Sequence, residues 1–544
     1  MRKGLLTIWG VVAFCLGSAA RTGQDSTARS ILLHDYRFAK EADPWITSEN
    51  AAALTRYGQE NMATAELSMT GARGGFTDFN DAPTMLQADA GVESFFRLNS
   101  RTVLSGSMSY NSFSGHDMAG SALLTPPSYL HLPFDIVEDS LTNTGTKHRD
   151  TYCLTGAFGT TLWRGASLGM RLDYTAANYA KYKDLRHKNK LMDMAFTAGI
   201  YVPLGSMAQA GAYYSYHRTT QSVQFSTYGK SDRTYVSLIS YGPFIGHLEQ
   251  FGQGGYTDKS REMPLVDNQD ALGLQFSLQT ASLTLYNAVS YARRRGYYGR
   301  RSPYTITYTS HHSNIYRYNA RLSFSTPCRS RFILGLTLQA ENLENAARPF
   351  RELQNDAGAT YYEYYQPVKM ANRLWVDGSL ALTAHLGISG QLPAWTLQGG
   401  MAWAHRRQTA YLYPYARRQN LTATTPYVSL CRNIPTAHAV WSLTLDAAFS
   451  KGKGAPCEDF TLATPSDKQS PPPSMDAYLM REYSRLTSPQ YAVGGTVKYT
   501  FILTATNMKT YVKACLHHRK ANATNEFAAG RDRTAATLAI GCDF

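Results

Sequence analysis

Charge is sparse in this chain of 544 residues: Asp, Glu, Lys and Arg together make up 17% of it. Cysteine is sparse too. Beyond residue 20 there are six, Cys153, Cys328, Cys431, Cys457, Cys515 and Cys542, with no CxxC spacing among them. That argues against a zinc ribbon or a redox motif, and the positions do not read as a disulfide framework. Glycine (42) and proline (22) are too few for a collagen-like or low-complexity chain. After the first twenty residues no stretch approaches 18 consecutive apolar residues, so no helix is expected to span a membrane. Tyrosine, by contrast, is abundant, with 37 of the 66 aromatic residues.

The two ends of the chain narrow the possibilities. Arg2 and Lys3 precede the apolar run Gly4–Gly17, and Ser18-Ala19-Ala20 follows with small residues, the pattern of a cleaved signal peptide over residues 1–20. The mature chain then carries 52 basic and 40 acidic residues, an excess of 12. An exported chain without a spanning helix is either soluble or a closed β-barrel, because lipid tolerates no unpaired backbone. At the other end, Ala536, Leu538, Ile540, Cys542 and Phe544 share one strand face, while Thr537, Ala539, Gly541 and Asp543 share the other. This strand, with one greasy face and a terminal aromatic, resembles the C-terminal strand signal of bacterial outer-membrane barrels, the alternative being an amphipathic strand that ends a soluble sandwich; the resemblance makes Phe544 the expected handle for the barrel assembly machinery.

The same alternation recurs with aromatic bookends. Trp395 and Trp403, Trp441 and Phe449, Tyr491 and Tyr499, and Tyr316 and Phe324 each close an apolar stripe eight residues apart. Eight steps of about 3.3 Å give roughly 26 Å, or about 20 Å along the normal at a strand tilt near 40°. That fits two aromatic girdles around a lipid belt, which a soluble core has no reason to imitate. The opposite faces carry Arg317, Arg321, Asp446 and Lys498, expected to face the lumen. Short connections alternate with long ones, the latter at Ser114–Arg149, Tyr179–Asn189, Thr227–Gln269, Asn342–Ala371 and Lys451–Pro489. Within Thr227–Gln269, Thr234–Tyr241 is placed in an extracellular excursion, because a lone crossing would break the parity. The reading is an all-β transmembrane antiparallel barrel of about 18 strands (range 14–18) over residues 62–544. Residues 21–61 form a periplasmic tail or a luminal hatch, with a short helix capped by Ser48 or Asn50.

The stretches Asp43–Leu54 (DPWITSENAAAL), Gly145–Gly159 (GTKHRDTYCLTGAFG) and Thr175–Met194 (TAANYAKYKDLRHKNKLMDM) resemble segments of an uncharacterised family of bacterial outer-membrane β-barrels, a domain of unknown function. The resemblance covers the mature chain. It implies the barrel and a place in the outer membrane of a Gram-negative bacterium, and it implies no activity and no functional residues.

Chemistry-bearing constellations are scarce. His312 and Ser313 have the residue types of a barrel phospholipase, but neighbours on a strand point to opposite faces. His311-His312 and His517-His518 fail as chelates for the same reason. Asp78-Phe79-Asn80-Asp81 lacks the twelve-residue calcium pattern, and Gly252–Gly255 has no strand before it or helix after it to cradle phosphate. No catalytic residue, metal or cofactor is therefore expected. The sharper feature is basic: Lys181, Lys183, Arg186, Lys188 and Lys190, then Arg293, Arg294 and Arg295, then Arg406 and Arg407, all at extracellular strand ends. They are expected to form a rim touching outer-membrane lipid and lipopolysaccharide, or a vestibule that concentrates anions. Nucleic acid has no place here. The expected function is a channel for diffusion or facilitated uptake of small anionic or amphipathic solutes. The alternative is a closed barrel serving as scaffold or accessory subunit to outer-membrane protein partners, with a lipid-acting enzyme behind both.

Overall fold

The structure, a computed structural model, describes residues 32–543 apart from 59–60, 139–142, 230–232, 252–262, 504–507 and 523–529. The expected leader, the Gly252–Gly255 cluster and Phe544 lie outside the described residues. Eighteen long strands, from Met62–Arg73 to Asp532–Asp543, each pair antiparallel with their neighbours in the chain. The last strand returns to the first over Thr64–Arg73 and Thr534–Asp543, with Met69 opposite Leu538. Closure leaves no edge, so every strand finds its hydrogen-bond partners within the wall.

The outer surface is apolar where a water-soluble protein would be polar. Leu445 and Leu538 are each 66% exposed, and Leu272, Leu274 and Phe276 stand out from one strand at every second position. Their intervening neighbours Gln275 and Ser277 are buried on the inner side. Aromatic rings meet across strands on the outside: Trp441 with Tyr499 at 4.5 Å, Phe449 with Tyr491 at 5.6 Å, and Tyr291 with Tyr316 at 5.3 Å. A closed barrel wearing an exposed apolar belt of this kind is an outer-membrane protein.

The connections depart from the sequence reading in one respect. Tyr179–Asn189 is no excursion: the strands Ser167–Lys181 and Arg186–Leu204 run up to a turn at residues 182–185. Likewise Leu283–Ser302 and Thr305–Thr326 meet at residues 303–304, and Trp395–Leu412 and Tyr415–Pro435 at Tyr413-Pro414. These hairpins continue past the belt, because the backbone ladder does not stop where the lipid does. Four long connections do carry structure. Asp135–Val137, Val236–Ser240 and Gly246–Gln250 form a small sheet, so the segment expected as an excursion is a strand outside the barrel wall. Phe350–Gln354 and Thr360–Tyr364 form a hairpin, and helix α2 covers Asp476–Thr487. Helix α1 (Tyr36–Glu41) and a 3-10 helix (Ala51–Arg56) precede the first strand.

Candidate functional site

The inner face of the barrel is where the unusual packing lies. At the end of the barrel with the short turns, residues 32–57 lie against the inner wall. Asn50 caps the 3-10 helix by accepting a hydrogen bond from Ala52 N, and its amide donates to Gln275 Oε1 and to Ile200 O, both at 2.9 Å. Two glycines make the approach possible. A Cβ on Gly169 would sit 2.1 Å from Ala52 N, and one on Gly199 would sit 2.2 Å from Asn50 Oδ1. Trp45 is the anchor: it is 1% exposed, edge-on to Tyr201 (5.1 Å) and Tyr286 (5.4 Å), and its indole N–H donates to Ser277 Oγ at 2.9 Å. Arg56 bridges Asp43 at 2.8 Å and donates to the Tyr201 hydroxyl.

At the end of the barrel that carries the long connections, these fold inward and form a cap. Residues 119–138 are stitched to the wall by side chains reaching backbone. Leu124 N donates to Gln221 Oε1 at 2.6 Å, and Gln221 Nε2 donates back to Leu124 O at 2.8 Å. Arg294 reaches His131 O at 3.3 Å and pairs with Glu341 at 2.6 Å, while Arg373 donates to Leu132 O and Pro133 O. The Tyr129 hydroxyl donates to Asp267, whose other oxygen lies 2.6 Å from His311 Nε2. Glu138 sits between the fully buried amines of Lys147 and Lys181, and Lys147 also donates to Ala119 O and Ser121 O. Helix α2 closes the other side: Glu482 takes both ends of the Arg406 guanidinium at 2.9 and 2.7 Å, and Tyr478 packs with Phe79 and Phe244.

Burial sets the protonation of the cap. His131 is pushed down to about 3 by burial and then by the neighbouring arginines, so it stacks on Trp375 (3.9 Å) as a neutral ring. Burial raises Asp135 to about 6, and burial with the nearby Glu482 raises Asp78 to about 7. The Tyr129 hydroxyl is raised by burial and by Asp267.

Between residues 32–57 and the cap the inner wall is polar and partly open. A cavity of about 590 Å³ lies beside residues 36–54, lined by Lys40, Glu93, Ser105, Thr155 and Arg171 among others. Lys40 pairs with Glu93 at 2.5 Å, and Arg171 with Asp173 at 2.7 Å. Arg317, Arg321, Asp446 and Lys498 all lie half-buried on inward strand positions. Lys498 stands over the Tyr511 ring at 4.0 Å, and Arg331 next to Arg321 donates to Ala42 O at 2.6 Å. The structure does not gather these four residues into one site.

The basic residues expected as an extracellular rim divide instead between two faces. Lys181, Arg294 and Arg406 point inward and are held by Glu138, Glu341 and Glu482. Lys183, Lys188, Lys190, Arg293, Arg295 and Arg407 are exposed, and Arg186 pairs with Asp184. The reason is the period of two, which persists above the belt and sends every second side chain inside. His312 points outward and Ser313 inward, so no dyad forms between them. The sequence reading missed the carboxylates that hold the cap: Glu341 and Glu482 meet Arg294 and Arg406 across long stretches of chain, and Glu138 holds Lys147 and Lys181 from within a connection that has no strand period.

The profile of a family described as "Family of unknown function (DUF6850)" matches residues 51–544. No curated protein matches the sequence. Among solved structures, the chain is similar to the ferric preacinetobactin receptor BauA from Acinetobacter baumannii, with a TM-score of 0.37 and 8% identity over 89% of this chain and 80% of that one. It is similar also to the outer membrane transporter YddB from Escherichia coli (TM-score 0.37, 7% identity, 88% and 81% covered). A third is the siderophore receptor PiuA from Acinetobacter baumannii (TM-score 0.36, 8% identity, 88% and 82% covered).

Proposed function

This chain belongs to the DUF6850 family of unknown function, and we propose that it is a gated, non-enzymatic uptake channel of the outer membrane. The observation that carries the reading is a polar, partly open inner wall enclosed from both ends by segments docked through side chains. A scaffold needs no charged interior, and an open diffusion pore needs no cap. In this reading a solute displaces or loosens the cap, crosses a lumen lined by Arg317, Arg321 and Lys498, and leaves past residues 32–57, which act as the hatch. Cationic side chains in a low-dielectric enclosure favour anionic or amphipathic solutes. Residues at the belt contact outer-membrane lipid, and the C-terminal strand serves the barrel assembly machinery. Flux of small anions and cations from loaded liposomes tests the proposal. Anion efflux above the protein-free rate, increased when the cap is loosened, supports it. Liposomes that stay sealed with every cap variant would leave the scaffold reading, which the long structured connections also favour.

A further inference from the structure

One cluster of cations takes no part in the lumen or the cap. On the strand Leu283–Ser302 the outward positions run Val289, Tyr291, Arg293, Arg295, and on the adjoining strand Thr305–Thr326 they run Tyr316, Asn314, His312. Tyr291 and Tyr316 touch in the upper aromatic girdle. Register sets Arg293 opposite Asn314 and Arg295 opposite His312, so these are the first rows beyond that girdle. Arg301 comes down over the Tyr297 ring at 4.0 Å, and Lys369 reaches Glu344 at 3.1 Å. Together they line a cleft of about 410 Å³ on the outer wall. Arg293, Arg295, Arg301 and Lys369 face a single carboxylate there, Glu344, which also lies 3.8 Å from His312. Among the described residues, Arg293 and Arg295 form neither an ion pair nor a side-chain hydrogen bond. Four cations against one anion repel one another, and a doubly charged tetrahedral anion relieves that repulsion while matching the arginine fork.

We propose that this cleft binds a phosphate of the outer-leaflet glycolipid, the phosphorylated lipid A class, with its acyl chains lying on the apolar belt below. The lipid source follows from position: Arg293 and Arg295 point outward from the wall in the first two rows above the girdle, where headgroups stand. The proposal rests on the reading of the chain as an outer-membrane barrel with its long connections outside, and it names the partner of that surface. Arg294, between the two cleft arginines in sequence, is excluded because it points inward.

The test uses the full mature barrel in nanodiscs, with detergent-dispersed phosphorylated lipid A as probe. The double substitution Arg293→Ala and Arg295→Ala is expected to weaken binding at least about tenfold, since each removes a charge-assisted contact. Lys451→Ala with Lys453→Ala, which removes the same charge from other outward positions, is expected to change it less than about twofold. Dephosphorylated lipid A should bind like the cleft variant. Equal binding by the cleft variant, or by the dephosphorylated lipid, overturns the proposal, and inorganic phosphate competing at concentrations equal to lipid A would make it a free-anion site. Heat-dependent migration of each variant reports whether the barrel itself is folded. A folded barrel in outer-membrane fractions that binds no lipid A defeats this inference alone. A chain absent from those fractions defeats the underlying reading.

Discussion

Replacing Trp45 with alanine should release the N-terminal segment without unfolding the barrel. The indole is buried between Tyr201 and Tyr286 and donates to Ser277 Oγ. Truncating a buried Trp to Ala costs about 3–5 kcal/mol from lost transfer and packing. At about 1.4 kcal/mol per factor of ten, that shifts the docked-to-released equilibrium by roughly two to three and a half orders of magnitude. Asn50 and Arg56 still hold the segment, so release will be partial, while the eighteen-strand ladder loses no backbone hydrogen bond. The assay is limited trypsin digestion of folded protein, read at Arg56, whose guanidinium is shielded by Asp43 when docked. W45A should be cut there much faster than the parent, with unchanged heat-dependent barrel migration. Cleavage of W45A at the parental rate would refute the claim that the indole holds the segment in place.

Three further outcomes follow from particular residues. Glu138→Gln leaves the fully buried Lys147 and Lys181 amines without a counter-charge, which should cost about 3–5 kcal/mol and free residues 119–138 for cleavage from outside; unchanged protection would show that the amines are not the anchor. Leu445→Arg places a charge at mid-belt and should destabilise the barrel by about 2–4 kcal/mol, while Asp446→Arg, on the inner face, should cost far less; equal urea midpoints for the two would contradict the assigned faces. Asp78 is raised from 3.8 to about 7 in the closed cap, so the closed state binds the proton more tightly than the open one. Cap protection should therefore be greatest below about pH 4, fall as pH rises to about 7, and stay level above; hydrogen exchange of residues 474–488 at pH 5 and pH 8 measures this, and Asp78→Asn should flatten the difference.

The wall was readable because its rule is local. A period of two with aromatic ends marks Trp441–Phe449 or Tyr491–Tyr499 regardless of what lies elsewhere, and the two pairs indeed face each other in register. A cap before the alanine run was likewise readable as Ser48 or Asn50, and Asn50 is the one that caps. What could not be read was the interior. Glu482 meets Arg406 from 76 positions away, and Arg373 finds carbonyls 240 and 241 positions away. Such partners depend on how connections fall into the lumen, which no local period encodes. The basic rim shows the boundary between the two cases: Arg293, Arg294 and Arg295 were expected at a strand end, but the strand Leu283–Ser302 runs on past them, so alternation turns Arg294 inward and leaves Arg293 and Arg295 outside.

Single-channel recording in planar bilayers, comparing the parent with a variant carrying both Glu138→Gln and Trp45→Ala, tests the gated-channel account most directly. The account predicts a parent that is closed with brief openings and a double variant that stays open longer and prefers anions. A parent that conducts steadily, or a folded double variant that never conducts, would contradict it.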